Sequence, residues 1–145
     1  MKPPASIIAA ARAAQKKHGI PASISLAQWA VESGWGQHMP PGSANPFGMK
    51  ARPGDPSVTV RTREQDHHGH DYWIEAPFRV FPSVEAAFDA HAALLCKPVY
   101  AKARACLPNP DLFADALTGV YATDRGYGKA LRAVMRGANL YRYDA

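Results

Sequence analysis

The segment from Pro21 to Gly36 leaves this chain few ways to fold. Pro21 opens a helix in which Ile24, Ala27 and Val31 form one apolar stripe, while Leu26, Trp29 and Ala30 widen that stripe almost all round. A helix without a polar side must be enclosed by other elements, so the rest of the chain has to wrap it. Glu32 comes at the end of this stretch, just before Gly34, and is the sole acidic residue among the first 54. No opposite charge stands beside it in sequence, and the carbonyls of a helix C-terminus disfavour a negative charge. Its proton is therefore expected to be held tightly, as a general acid requires. A glutamate at a helix end ordinarily turns into water. Trp29, Trp35 and the glycines at 34 and 36, which permit close approach of a ligand, argue for the functional reading here.

The flanking segments supply the wrapping. Pro3-Pro4-Ala5-Ser6 starts a helix with Ile7, Ile8, Ala11 and Ala14 on one face, stopped by Lys16, Lys17, His18 and then Gly19. From Gln37 to Pro56 five prolines and no helical period describe an ordered loop. Val58, Val60, Thr62 and Glu64 then alternate with Thr59, Arg61 and Arg63, the turn Asp66-His67-His68-Gly69 follows, and His70 to Phe81 returns as an aromatic-rich strand ended by Pro82. Beyond this hairpin, Ser83 can cap a helix with Val84, Ala87, Phe88, His91, Leu94 and Leu95 on its apolar stripe. Pro98 begins a shorter helix, and Asn109-Pro110-Asp111 starts another with Leu112, Phe113, Ala116, Leu117 and Val120. Asp124 can cap a last one, carrying Leu131, Val134 and Met135 and stopping at Gly137. The expectation is an α+β, mainly α fold over residues 1–145 as one domain, with a helical lobe and a small β-hairpin lobe.

Composition narrows the function classes. Seventeen Lys and Arg against twelve Asp and Glu give a net charge of +5, which favours anionic surfaces such as those of the cell envelope. The basic residues are spread out rather than gathered with aromatics into a patch, so no nucleic acid partner is expected. Cys96 and Cys106 lack metal-binding spacing and are expected to be free, half-buried thiols. The run Ile7–Ala14 is interrupted by Arg12 and too short for a signal core, so no export signal is visible.

Among residues able to do chemistry, Glu64 is the second carboxylate of interest. An acid on a helix facing a carboxylate on a hairpin is the pair that glycoside hydrolysis uses. Trp35, Phe47, Tyr72, Trp73, Tyr121 and Tyr127 offer flat faces for sugar rings, whereas Phe78, Phe81, Phe88 and Phe113 are assigned to the core. His67, His68 and His70 with Asp66 and Asp71 read as a polar turn rather than a zinc site, and no metal or cofactor is expected. His91 reads as a core histidine with its hydrogen bonds satisfied.

Five strings in order carry a resemblance that spans nearly the whole chain. They are Ser25 to Gly36, Asn45-Pro46-Phe47-Gly48-Met49-Lys50, Phe78-Arg79-Val80-Phe81-Pro82-Ser83, Tyr121-Ala122-Thr123-Asp124-Arg125-Gly126-Tyr127, and Asn139 to Asp144. Together they resemble glycoside hydrolase family 73, the lysozyme-like endo-β-N-acetylglucosaminidases of autolysins and of the flagellar peptidoglycan hydrolase. The resemblance implies a two-lobed lysozyme-type fold and cleavage of the β-1,4 bond between N-acetylglucosamine and N-acetylmuramic acid in peptidoglycan glycan strands. It places Glu32 on the general acid and Glu64 on the family's second carboxylate. Tyr121 and Tyr127 fall on the tyrosines that line the site, with Tyr121 placed to orient the substrate's acetamido group. Trp35, Asn45, Phe47 and Tyr72 are the remaining candidates for substrate binding. Gly128, where alanine commonly follows the tyrosine, and Pro46, where an aliphatic residue is usual, depart from the pattern. Other enzymes of the fold, N-acetylmuramidases and lytic transglycosylases, and a non-catalytic wall-binding module remain as alternatives. A monomeric endolysin, made in the cytoplasm and reaching the wall through a pore or secretion system, is the expected context.

Overall fold

The computed structural model describes all 145 residues. Six α-helices and one two-stranded antiparallel sheet make a mainly helical α+β fold. The helix read from Pro21 is α2 (Ala22–Ser33), and every residue from Ala22 to Ala30 is buried. Around it pack α1 (Ala5–His18), α5 (Pro110–Leu117), α6 (Tyr127–Gly137) and a closing 3₁₀ turn (Leu140–Tyr143). One core of 25 buried residues results, with Ile24, Leu26, Phe88, Phe113, Leu131 and Met135 at its centre.

The start of α2 has no local side-chain cap, and a distant residue serves instead. Asp144 accepts hydrogen bonds from the Ser23 backbone N–H and hydroxyl, both at 2.7 Å. A carboxylate at a helix N-terminus complements its dipole and its unpaired amides. The C-terminal tail therefore locks the central helix in place. At the other end Gly34, Trp35 and Gly36 all adopt positive φ, turning the chain sharply after Glu32. The Trp35 ring meets Trp29 edge-on at 5.6 Å, and a side chain at position 36 would strike the Trp29 ring at 3.1 Å.

The hairpin forms with the expected alternation. Strands β1 (Ser57–Gln65) and β2 (Asp71–Arg79) pair from Ser57 opposite Arg79 at the base to Gln65 opposite Asp71 near the tip. On β1, Val58, Val60, Thr62 and Glu64 occupy the half-buried face. The loop before β1 adds a short third rung at the base: Arg79 N–H donates to Met49 O, and Ala51 N–H to Pro77 O. After the hairpin come α3 (Val84–Leu94), capped by Ser83 accepting from Ala86 N–H, a 3₁₀ turn at Pro98–Tyr100, and the single-turn α4 (Ala101–Arg104). Asn109 caps α5 by accepting from Leu112 N–H.

Several details differ from the sequence expectation. Asp124 does not cap α6 directly; it accepts from Gly126 N–H and so closes the turn that leads into the helix. Val31 at the end of α2 and Leu112 on the outer face of α5 are exposed, and Val120 is exposed because α5 ends at Leu117, before reaching it. Phe78 lies outside the core, on the hairpin, with the Lys50 ammonium 4.8 Å above its ring. Both cysteines are free, and Cys96 is exposed rather than half-buried. No helix is long and apolar enough to cross a membrane.

Candidate active site

A cleft of about 630 Å³ runs between the helical body and the base of the hairpin. Glu32 from the end of α2, Phe47 from the loop, Ala90, Ala93 and Leu94 from α3, and Tyr100 and Tyr121 line it, together with Lys50, Arg52, Arg79 and Lys97. Glu32 is the sole carboxylate among the lining residues. The buried run of α2 delivers that side chain to the cleft and holds it there.

Glu32 is exposed toward the cleft, while protein packed behind its carboxyl strips part of its hydration. That loss of hydration raises its pKa above the ordinary 4.5, and the hydrogen bond from Tyr127 opposes the rise without cancelling it. The bond is explicit: Tyr127 Oη donates to Glu32 Oε1 at 2.9 Å. Behind it, Gln28 Nε2 donates to the same Tyr127 oxygen at 2.9 Å. Since the amide occupies Tyr127 as an acceptor, the phenol proton points at Glu32. Tyr127 is 5% exposed and Gln28 fully buried, so this chain of groups works out of reach of solvent. Burial and the nearby Glu32 carboxylate raise the pKa of both Tyr127 and Tyr121, which stay neutral phenols. Tyr121 stacks on Tyr127 with ring centroids 5.6 Å apart.

The other expected site residues divide into those near the cleft and those away from it. Phe47 forms its floor, 3% exposed and stacked at 3.9 Å on the His91 ring. Trp35 stands half-buried in the turn after Glu32, packed on Trp29. Asn45 is fully buried, and its amide is committed to the backbone: Nδ2 donates to Met49 O and Arg79 O, and Oδ1 accepts from Met49 N–H. Its place is behind the cleft wall rather than in it. Glu64 and Tyr72 sit opposite each other toward the hairpin tip, outside the lined cleft. Seven residues separate Glu64 from Ser57, the partner of the wall residue Arg79, a strand length of ~23 Å at about 3.3 Å per residue.

Two findings lay outside the sequence reading. Gln28 was not singled out, although a lone amide inside an otherwise apolar helix is a signal that such a group has a buried partner. His91 is buried as expected, yet neither ring nitrogen has a hydrogen-bond partner in the protein. Burial lowers its pKa to about 3, so it stays neutral and acts as a flat ring under Phe47. At the hairpin turn, His67 and His68 lie with ring centroids 4.2 Å apart and His70 Nδ1 is 3.5 Å from Asp66. No group of three or more His, Cys, Asp or Glu side chains is arranged to hold a metal ion.

Comparison with known proteins identifies the family and the fold. The glucosaminidase family model, described as mannosyl-glycoprotein endo-beta-N-acetylglucosaminidase, matches residues 8–140. A probable N-acetylmuramidase of Lactococcus lactis subsp. lactis is 34% identical over 96% of this chain and 34% of its own length. The chain thus spans about a third of that relative. The catalytic domain of the autolysin Auto from Listeria monocytogenes superposes with a TM-score of 0.84 at 31% identity, covering 96% of this chain and 84% of that one. A glycoside hydrolase domain of FlgJ from Salmonella typhimurium gives 0.74 at 33% identity, covering 92% and 93%. The chain belongs to the glucosaminidase family.

Proposed function

We propose that this chain is a peptidoglycan hydrolase that cleaves the β-1,4 bond between N-acetylglucosamine and N-acetylmuramic acid with Glu32 as general acid. The observation that carries the reading is the Glu32 carboxyl, partly desolvated in a cleft and hydrogen-bonded by Tyr127. With Oε1 accepting the phenol proton, Oε2 is left to carry the acid's own proton toward the glycosidic oxygen. Proton transfer there lets the C1–O bond break, and positive charge develops at the anomeric carbon. The substrate's acetamido oxygen then closes on that carbon, with Tyr121 positioning the group. Glu32, now a carboxylate, takes a proton from the water that opens the intermediate. Two-carboxylate mechanisms need their groups within about 10 Å. The position of Glu64 near the hairpin tip favours the substrate-assisted route over direct attack by Glu64. The names of the relatives point the same way, to a peptidoglycan hydrolase in Salmonella typhimurium and an autolysin in Enterococcus faecalis.

Mass spectrometry of digested sacculi tests the bond and the acid together. Reducing N-acetylglucosamine ends are expected, and Glu32→Gln should lower the rate about 10³-fold while leaving the fold intact. Normal turnover by that variant would remove Glu32 from the mechanism. Glu64→Gln is expected to stay within about tenfold of the parent rate, and a loss comparable to that of Glu32→Gln would restore Glu64 as nucleophile or base. The Lactococcus lactis relative's name supports a second reading, N-acetylmuramidase activity. Reducing muramic ends in the same digest would select it.

A further inference from the structure

The cleft has a second chemical character that the sugar chemistry leaves unused. Four cations, Lys50, Arg52, Arg79 and Lys97, line it, against the single carboxylate of Glu32. Arg52 is partly neutralised by Asp55, Nε to Oδ2 at 3.6 Å. Asp55 also feels the charge of Arg79, though beyond ion-pair contact, and Lys50 and Lys97 have no carboxylate within ion-pair distance. None of the four cations pairs with Glu32, whose carboxyl is bonded by Tyr127 instead.

This charged wall is built rather than incidental. The Asn45 amide ties the Met49 backbone to the Arg79 carbonyl, fixing the segments that carry Lys50 and Arg79 relative to each other. Lys50 lies over the Phe78 ring and Arg79 over the Phe81 ring, at 4.8 and 4.6 Å. Such stacking holds a cation in place while leaving its N–H donors available. Lys97 is anchored through its backbone, whose carbonyl accepts from Arg104 Nη1 at 2.8 Å. Three chain segments are thus held so that unpaired cations face one cavity.

We infer that this wall is a subsite for the carboxylates of the stem peptides attached to the muramic residues, so that the protein prefers glycan strands bearing free acidic stems. The inference rests on the proposed peptidoglycan substrate. Glycan sugars themselves are uncharged apart from the lactyl group, which the stem peptide masks as an amide. The stem's carboxylates are therefore the anions a strand lying in this cleft would bring to the wall.

The test uses binding, so that it does not depend on turnover. Glu32→Gln protein is co-sedimented with sacculi free of attached phosphopolymers, either untreated or with stem carboxylates converted to amides by carbodiimide and ammonia. A third sample carries strands stripped of stems by an amidase, which exposes the lactyl carboxylate and frees the strands from the sacculus, coupled through their reducing ends to beads so that they sediment. Untreated sacculi should bind roughly tenfold more tightly than amidated ones at low salt, with the gap narrowing as salt rises. Stripped strands should bind like amidated sacculi. Adding Lys50→Met and Lys97→Met should bring the ratio of untreated to amidated affinity close to one; both lysines are exposed and unpaired, so the fold tolerates the change. Equal affinity for untreated and amidated sacculi, an unchanged ratio in the double variant, or stripped strands binding as tightly as untreated ones would each overturn the stem subsite. Failure of the unaltered protein to release reducing ends would instead count against the hydrolase reading alone.

Discussion

At the scale of single residues, the Gln28–Tyr127–Glu32 chain biases the protonation of Glu32, the proposed acid. Tyr127→Phe removes the one hydrogen bond that favours the Glu32 carboxylate, leaving burial unopposed. The Glu32 pKa then rises further. A general acid works protonated, so activity is present below its pKa and lost above it. The alkaline limb of the kcat/KM profile is therefore expected to move to higher pH in this variant, and a limb that stays put or moves down would contradict the arrangement. The same change leaves the buried Gln28 Nε2 without its acceptor, a loss of about 1–3 kcal/mol readable by denaturant unfolding. Glu32 itself was legible in the sequence because one carboxylate ended an apolar run. Its partner was not: Tyr127 lies 95 residues away, and only the resemblance joined the two. His91 shows the opposite limit, since its place on an apolar stripe foretold burial but said nothing about whether its nitrogens would find partners.

Among the elements, α5 and α6 pack in tight contact at Gly128. A Cβ at Gly128 would come within 2.7 Å of the Ala114 carbonyl and the Thr118 hydroxyl, and the Gly128 N–H already donates to that hydroxyl. Gly128→Ala is expected to cost about 1–3 kcal/mol by forcing the two helices apart. The shift would show as a lower midpoint in thermal unfolding, and an unchanged midpoint would mean the helices can slide. Here the departure that the resemblance marks acquires a physical meaning: in this chain the helix pair leaves no room for the methyl group of an alanine at 128. Local signals predicted the helix starts well, because Ser83 and Asn109 act through hydrogen bonds to amides three residues on. Apolar periodicity predicted exposure poorly in α5, where eight residues give two turns, and Phe113, Ala114 and Leu117 alone fill the buried side. The basic wall was invisible for another reason. Its four cations come from three stretches that only the fold brings together.

For the molecule as a whole, Asn45 is a buried polar tie at the junction of helical body and hairpin, bridging the Met49 and Arg79 backbone. Asn45→Ala leaves two carbonyls and an amide without their side-chain partner. We expect it to cost about 2 kcal/mol or more, lowering the melting temperature by roughly 5 °C. KM for peptidoglycan should rise more than kcat falls, because the loosened segments carry the cations and not the acid; a fall confined to kcat would tell against this division of labour. The two walls of the cleft differ in stiffness by construction. One hangs from a helix enclosed on every side and pinned at its start by Asp144. The other belongs to a pair of strands, and a two-stranded ribbon has little stability of its own away from its base. Because strand side chains alternate with a period of two, the ribbon can gain or lose whole rungs beyond Val58–Phe78 without turning any wall residue around. Under the proposed function, reach along the glycan is thus an adjustable length, open to insertion and deletion, while Glu32, the proposed proton donor, stays where it is.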